Sequence, residues 1–374
     1  MNRVFITSFS SISSLGIGIE ESLKNLQTQK QLICIPDKDD KFKKPYFPIN
    51  SSLTIDNNKI ICSQFALTLL DLIKDFWMPI SPVSLFLSTS TGGIKETEEV
   101  YKDLREKTVK YPLFKRHFFN RIFNDIKEKY GNSILDPVTF SVACSSSGHS
   151  IMQAYQMIKN GIIDKALVIG VDVLCLTTMI GFDSLKLVSS SGTKPLTRER
   201  DGLSLGDGGG ILLLESVPHI DPVAEIIGAH SNSDGYHISS PDPDGTQQYE
   251  CILKSIKKAG IKKEEIDYIN AHGTGTIMND EVEMKVISSI FSEVVVTSLK
   301  AFIGHTLGAS AITELSLVFE MLKNNTIYQP VNLGEPIDEK YIPLKTINKK
   351  VKYFLKNSFG FGGNNVSIVI KNLF

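Results

Sequence analysis

The five cysteines of this chain (Cys34, Cys62, Cys144, Cys175 and Cys251) are scattered and form no CxxC pair. That argues against structural zinc and fits a reducing, cytoplasmic compartment. Charge of one sign is also missing: 40 Lys and Arg stand against 41 Asp and Glu, a net charge of −1. Nucleic acid is therefore not expected as the main partner, and any attraction to a charged partner must come from a local patch. No apolar run is long enough to span a bilayer, and serines interrupt Val4-Phe5-Ile6-Thr7 before a secretory core can form. No GxxxxGK loop is present, so a nucleotide cradle of that kind is rejected. What is present is a large core: 42% apolar and 22% charged residues over 374 positions imply two or three ordinary domains or one layered body.

Short β-rich runs alternate with helical patterns along the whole chain. The runs are 4–7, 83–88, 138–142, 166–171, 210–215, 224–229, 266–271, 294–298 and 365–370. The alternation predicts an α/β architecture with strands buried on both faces. One echo relates the halves. Met157-Ile158-Lys159-Asn160-Gly161 and Met321-Leu322-Lys323-Asn324-Asn325 end two similar helical stretches, and in that register Cys144 falls opposite Gly308. Two readings stand at this point: a duplicated unit, or the generic likeness of αβ units.

Four segments carry chemistry. Cys144 lies between the strand-like 138–142 run and an amphipathic stretch from His149 to Lys159. A thiol at a strand-to-helix junction is exposed to substrate, and the free N–H groups and dipole of the helix should stabilise its thiolate. A buried structural cysteine is the bland alternative. His272, in Asn270-Ala271-His272-Gly273-Thr274-Gly275-Thr276, ends another strand beside glycines that let backbone approach closely. A lone histidine there is also compatible with a structural role. Lys300 and His305 follow a third strand, too far apart for one helical face, with Glu314 available to pair with Lys300. Asn357-Ser358-Phe359-Gly360-Phe361-Gly362-Gly363-Asn364-Asn365 reads as a glycine-rich loop offering backbone N–H donors and an aromatic gate.

Together these segments resemble the elongating β-ketoacyl-acyl-carrier-protein synthases, a type I/II ketosynthase group of the thiolase-like superfamily. The likeness rests on Ala143-Cys144-Ser145-Ser146-Ser147, His272-Gly273-Thr274-Gly275-Thr276, Gly304-His305-Thr306-Leu307-Gly308-Ala309 and Gly360-Phe361-Gly362-Gly363. It implies an α/β thiolase fold, with duplicated halves forming five layers αβαβα, here 1–217 with the nucleophile and 218–374 with both histidines. It implies decarboxylative condensation of a Cys-bound acyl group with malonyl-acyl-carrier protein, in fatty acid or specialised polyketide or aryl-polyene synthesis. Cys144 would be the nucleophile, with His272 and His305 serving decarboxylation. Lys300 and Glu314 would order them, and Phe361 would gate. Thr274, Thr276 and Ser239 would contact the pantetheine arm, and Lys194, Arg198 and Arg200 would dock the carrier. No metal and no cofactor of its own is expected, since substrates ride on the carrier's 4'-phosphopantetheine. The partners implied are an acyl carrier protein and a second subunit, either the same chain or another ketosynthase-like chain.

Other positions weigh less. Asp280 and Glu283 match an acidic position of the family but read as helix caps. Lys110, Lys115, Arg116 and Arg121 form a second basic cluster, equally an ordinary solvated face. His149 is taken as structural. The sequence departs from the family at Val142 and Asn364, where Thr is usual, and at Ile277-Met278-Asn279-Asp280 in place of Pro-x-Gly-Asp. The 34–58 region looks abbreviated. A non-catalytic chain-length-factor-like subunit would lack the cysteine. A degradative thiolase would need a second cysteine as base. A chalcone-synthase-like enzyme would want one His and one Asn. A cysteine hydrolase would leave the paired imidazoles and the lysine without a role.

Overall fold

The structure, a computed structural model, describes residues 1–37, 40–49, 56, 58–106 and 117–374. All nine β-rich runs are strands. They are β1 (Phe5–Ser13), β2 (Ser84–Ser88), β3 (Val138–Phe140), β4 (Lys165–Asp172), β5 (Gly208–Glu215), β6 (Ala224–Ser233), β7 (Tyr268–Asn270), β8 (Val295–Thr297) and, last in the chain, β10 (Asn364–Asn372). Besides the two-residue strands Gly16–Ile17, Thr326–Ile327 and Ile347–Asn348, the sequence pattern missed the long strand β9 (Tyr353–Gly360), which takes in the first part of the expected glycine-rich loop. It was hidden because Lys356, Asn357 and Ser358 are polar yet buried, so no apolar run or alternation marks it. β1 likewise continues through Ser8, Ser10, Ser11 and Ser13, serines that are buried rather than chain-breaking.

The strands run β3-β2-β4-β5-β1 in the first half and β8-β7-β9-β10-β6 in the second, the same order twice. The two sheets meet where β1 pairs antiparallel with β6 at Phe5–Glu225 and Ile6–Ala224. Helix α1 (Ile61–Leu72), backed by α2 (Asn120–Tyr130), covers the outer face of the first sheet. Helices α4 (Thr246–Ala259) and α5 (Ile277–Ile290) cover the second. Between the sheets lie α3 (Ser146–Lys159) and α7 (Ser310–Lys323), which touch each other and both sheets. The result is the αβαβα layering of the thiolase fold.

The echo read from the sequence is carried by the backbone. α3 and α7 are each 14 residues long and begin and end in the same register. The residues before Cys144 and Gly308 are both left-handed, Ala143 at φ 47° and Leu307 at φ 48°. Glycines let α7 rest directly on the first sheet. A Cβ on Gly210 would lie 2.8 Å from the Ile312 backbone, and one on Gly170 would lie 2.7 Å from the Ile312 side chain. Replacing Gly210 with Val should therefore force α7 off the sheet and lower stability by about 1–3 kcal/mol or more. Denaturant unfolding measures this, and a variant as stable as wild type would contradict the close packing.

Candidate functional site

Cys144, His272, Lys300 and Phe361 each lie just beyond the end of one of these strands. Cys144 follows β3 in a turn tied by Ser145 Oγ to the Val142 carbonyl (2.9 Å) and Ser146 Oγ to the Ala143 carbonyl (2.6 Å). The positive φ of Ala143 is a local strain of the kind found under nucleophiles. α3 starts two residues after the thiol, three residues before the expected amphipathic stretch, so the thiol does lie at a helix N-terminus. The expected thiolate does not follow: burial pushes the Cys144 thiol up to about 11. Lys300 and the backbone N–H groups of Phe361 and Cys144 favour the charged form but do not offset the loss of water, and Asp172 opposes it.

His272 lies beyond β7. Its backbone N–H and that of Gly273 donate to the two oxygens of Glu283 (2.9 and 2.8 Å). Asp280 accepts from the N–H groups of Thr274 (2.9 Å) and Leu196 (2.7 Å). The two carboxylates are thus structural but are not the helix caps expected from their positions. They hold the turns of the His272 loop, where a Cβ on Gly275 would strike the Gly202 carbonyl at 2.7 Å. His305 follows Gly304, and its Nδ1 meets Ser310 Oγ at 2.9 Å. The two imidazole centroids are 5.5 Å apart, edge to face. Both rings are buried and hold their protons far less well than a free imidazole, first through burial and next through Lys300. Buried His272 Nδ1 has no protein partner.

Lys300 opens the short helix α6 (Lys300–Ile303) and is fully buried behind the histidines. Its Nζ donates to the His272 carbonyl (2.7 Å) and pairs with Glu314 (2.6 Å). The two were expected as a pair, and the fold brings them together. Two further residues were missed. Lys356 Nζ pairs with the other Glu314 oxygen at 2.7 Å, and its signal was a lone lysine after apolar Phe354-Leu355. Asp172, fully buried at the end of β4, accepts from the hydroxyls of Thr89, Ser90 and Thr91 and from the Gly308 N–H (2.6 Å). It thereby hooks the His305 loop to the first half.

Cys144, His272 and His305 line one cavity of about 170 Å³, together with Phe361, Thr274, Thr276 and Ser239. Phe361 stacks on Phe182 with centroids 5.4 Å apart, and the Thr274 and Thr276 hydroxyls are 2.8 Å apart. Lys194, Arg198 and Arg200 lie outside the lining. Arg200 donates to the carbonyls of Thr197 (2.8 Å) and Ile277 (3.3 Å), whereas the Arg198 side chain is 64% exposed and 4.0 Å from Glu335. In the second basic cluster Arg121 pairs with Asp125 at 2.8 Å, while Lys110, Lys115 and Arg116 fall outside the described residues. His149 bonds the Ser145 carbonyl, as a structural residue does. Among the described residues no group of three His, Cys, Asp or Glu could hold a metal ion, and no helix is long and apolar enough to cross a membrane.

The neutral imidazoles link stability to pH. The unfolded chain binds protons at both histidines below about pH 6.5 and the folded chain does not, so stability is lost as the pH falls below that value. Each histidine should contribute a slope of up to about 1.4 kcal/mol per pH unit. Urea midpoints from pH 7.5 down to 5 should fall less steeply in the H272Q/H305Q variant than in wild type, and identical slopes would refute the assignment.

Family models match the chain in two adjoining stretches: the N-terminal domain of β-ketoacyl synthase over residues 136–219 and its C-terminal domain over 223–334. The 3-oxoacyl-[acyl-carrier-protein] synthase 2 of Mycobacterium tuberculosis is 31% identical over 305 residues, which are 75% of this chain and 72% of that protein. The enzyme of the same name from Rhizobium meliloti is 32% identical over 249 residues, 61% of this chain but only 59% of its own length. Among solved structures, a ketosynthase in complex with its chain length factor from Xenorhabdus doucetiae superposes with a TM-score of 0.90 at 26% identity, covering 100% of this chain and 98% of that one. A β-ketoacyl synthase from Burkholderia phymatum superposes at 0.86 with 23% identity, covering 100% of both chains, which supports the fold alone.

Proposed function

Because the chain belongs to the β-ketoacyl synthase family, we propose that it condenses a Cys144-bound acyl group with malonyl-acyl-carrier protein, releasing carbon dioxide. The observation that carries this reading is the convergence of one thiol and two neutral imidazoles in a single cavity. In the first half-reaction the Cys144 sulfur forms a bond to the acyl carbonyl and the carrier's thiol leaves with the proton. In the second, malonate loses carbon dioxide and the resulting enolate carbon attacks the acyl-Cys144 carbonyl. The cysteine thiolate is then expelled and β-ketoacyl-carrier protein is released. Decarboxylation creates the carbanion without a strong base, so neutral histidines acting as hydrogen-bond donors suffice. The N–H groups of Cys144 and Phe361 are assigned the oxyanion of the tetrahedral intermediates, where one donor is commonly worth about 3–4 kcal/mol.

In this reading Lys300 and Glu314 order the histidines, and Phe361, leaning on Phe182, gates the entry of malonate. Thr274, Thr276 and Ser239 line the path of the pantetheine arm. The halves 1–217 and 218–374 contribute the thiol and the imidazoles respectively. Lys194 and Arg198 are assigned to carrier docking, with Arg200 bracing the same segment. The enzyme is placed in the cytoplasm, as a homodimer or paired with a second ketosynthase-like chain, in fatty acid or specialised polyketide or aryl-polyene synthesis. A partner-dependent, chain-length-factor-like role is the second reading. The Xenorhabdus likeness, to a ketosynthase held with such a factor, keeps it in view.

Intact-protein mass spectrometry after incubation with a panel of acyl-carrier-protein thioesters should show a mass gain in wild type and none in Cys144→Ala. H272A and H305A should keep that gain and lose condensation by about 10²- to 10³-fold. No gain with any primer, with or without a second chain, would favour the non-catalytic reading. Lys194→Glu should weaken carrier binding at low salt and matter less at 0.5 M salt. Equal affinity at low salt would dismiss that docking surface.

A further inference from the structure

Lys356 is the least expected residue of the molecule's interior. It lies in the middle of β9, its side chain 1% exposed, opposite Asn270 of β7 and Ile368 of β10. Strand interiors of this kind exclude an ammonium group unless it is paired. Its partner is Glu314 Oε2 at 2.7 Å, while Oε1 of the same carboxylate holds Lys300 at 2.6 Å. Lys300 in turn donates to the His272 carbonyl at 2.7 Å, and Lys356 stands 3.5 Å from the Ala271 carbonyl next to it. Two buried lysines thus share one buried carboxylate directly behind the histidine loop. Nothing in the condensation chemistry above uses the second lysine.

We propose that Lys356 is a positioning residue for the histidine pair: it clamps the free oxygen of Glu314, so that Lys300 stays locked on the His272 loop, and it leaves the cluster one positive charge in excess beside the cavity. With both carboxylate oxygens occupied, Glu314 cannot rotate away from Lys300. The charged and titratable groups around Lys356 are few. Glu314 comes from α7, Lys300 from α6, Tyr268 from β7, Glu283 from α5, and His272 and His305 from their loops. Glu283 does not cancel the excess by contact, since its oxygens accept from the N–H groups of His272 and Gly273 and from Asn357 Nδ2 (3.2 Å). The surplus cation disfavours protonation of both imidazoles and favours an anion at them. The reaction proposed above brings such an anion, first the malonyl carboxylate and, once this has left as carbon dioxide, the thioester enolate, and this consequence rests on that reading. Burial brings Lys356 itself down to about 8, so the surplus is present below that pH and lost above it.

The test compares wild type, Lys356→Met and Lys356→Arg by NMR of histidine-labelled protein, with His272 and His305 assigned through their Gln variants. Met preserves length without charge, and Arg keeps the charge. In K356M both histidine titrations should rise measurably while staying below the ordinary imidazole range, since burial and Lys300 still hold them down, and in K356R they should not rise. Unchanged titrations in a cooperatively melting K356M would overturn the proposal. If K356M does not fold, K356R decides, and histidines titrating normally beside its retained charge would overturn it equally. This readout needs no catalysis. A wild type that fails to condense any substrate would sink the proposed function and leave the histidine result standing. If condensation is observed, K356M should slow it about 10- to 100-fold, as loss of positioning does. It should also lack the fall in rate expected of wild type above about pH 8.

Discussion

The seating of α7 on the first sheet is the contact on which the site depends. Ile312 presses against Gly170 and Gly210, and its N–H reaches Ser147 Oγ of α3 at 3.3 Å. Side chains at those glycines would hold the helix away. Because the helix lies so close, the Gly308 N–H reaches Asp172, and the His305 loop from the second half is pinned beside the Cys144 turn of the first. Neither half has the full set of groups. The thiol belongs to one repeat and the imidazoles to the other, and the packing of two like helices between two like sheets brings them into one cavity.

A second constraint is the exclusion of water. Burial is the largest influence on the thiol, on both histidines and on Lys356, and in each case it favours the uncharged form. A thiol at a helix N-terminus would ordinarily ionise more easily, yet here desolvation wins because Cys144 is buried. The ion pairs behind the site are gathered on Glu314, which holds both Lys300 and Lys356, while Asp172 is held by hydroxyls and backbone N–H groups. The surrounding hydrogen bonds orient these groups and stiffen the site.

Much of this was legible in the sequence. The nine β-rich runs are strands because their apolar residues are continuous, as strands covered on both faces require. The echo between Met157–Gly161 and Met321–Asn325 corresponds to two helices of equal length and register, each following a left-handed residue. Cys144, His272, His305 and the Lys300–Glu314 pair all lie where their motifs placed them. The misses are polar groups that folding buries. Lys356 and Asp172 find partners far along the chain, Glu314 and the Gly308 N–H, and local pattern carries no record of them. The serines of β1 are buried without any local mark, and Asp280 and Glu283 turn to the backbone of the His272 loop rather than to their own helix.

The sequence by itself determined the α/β alternation and placed a thiol, two imidazoles and a lysine beside strand ends, because these follow from periodicity and residue chemistry, which are local; the duplication it left open between two readings. The tertiary structure alone decided the protonation of those side chains, the second lysine on Glu314 and the hook of Asp172 on the His305 loop. Those properties depend on distance and dielectric between segments of chain that only packing brings together.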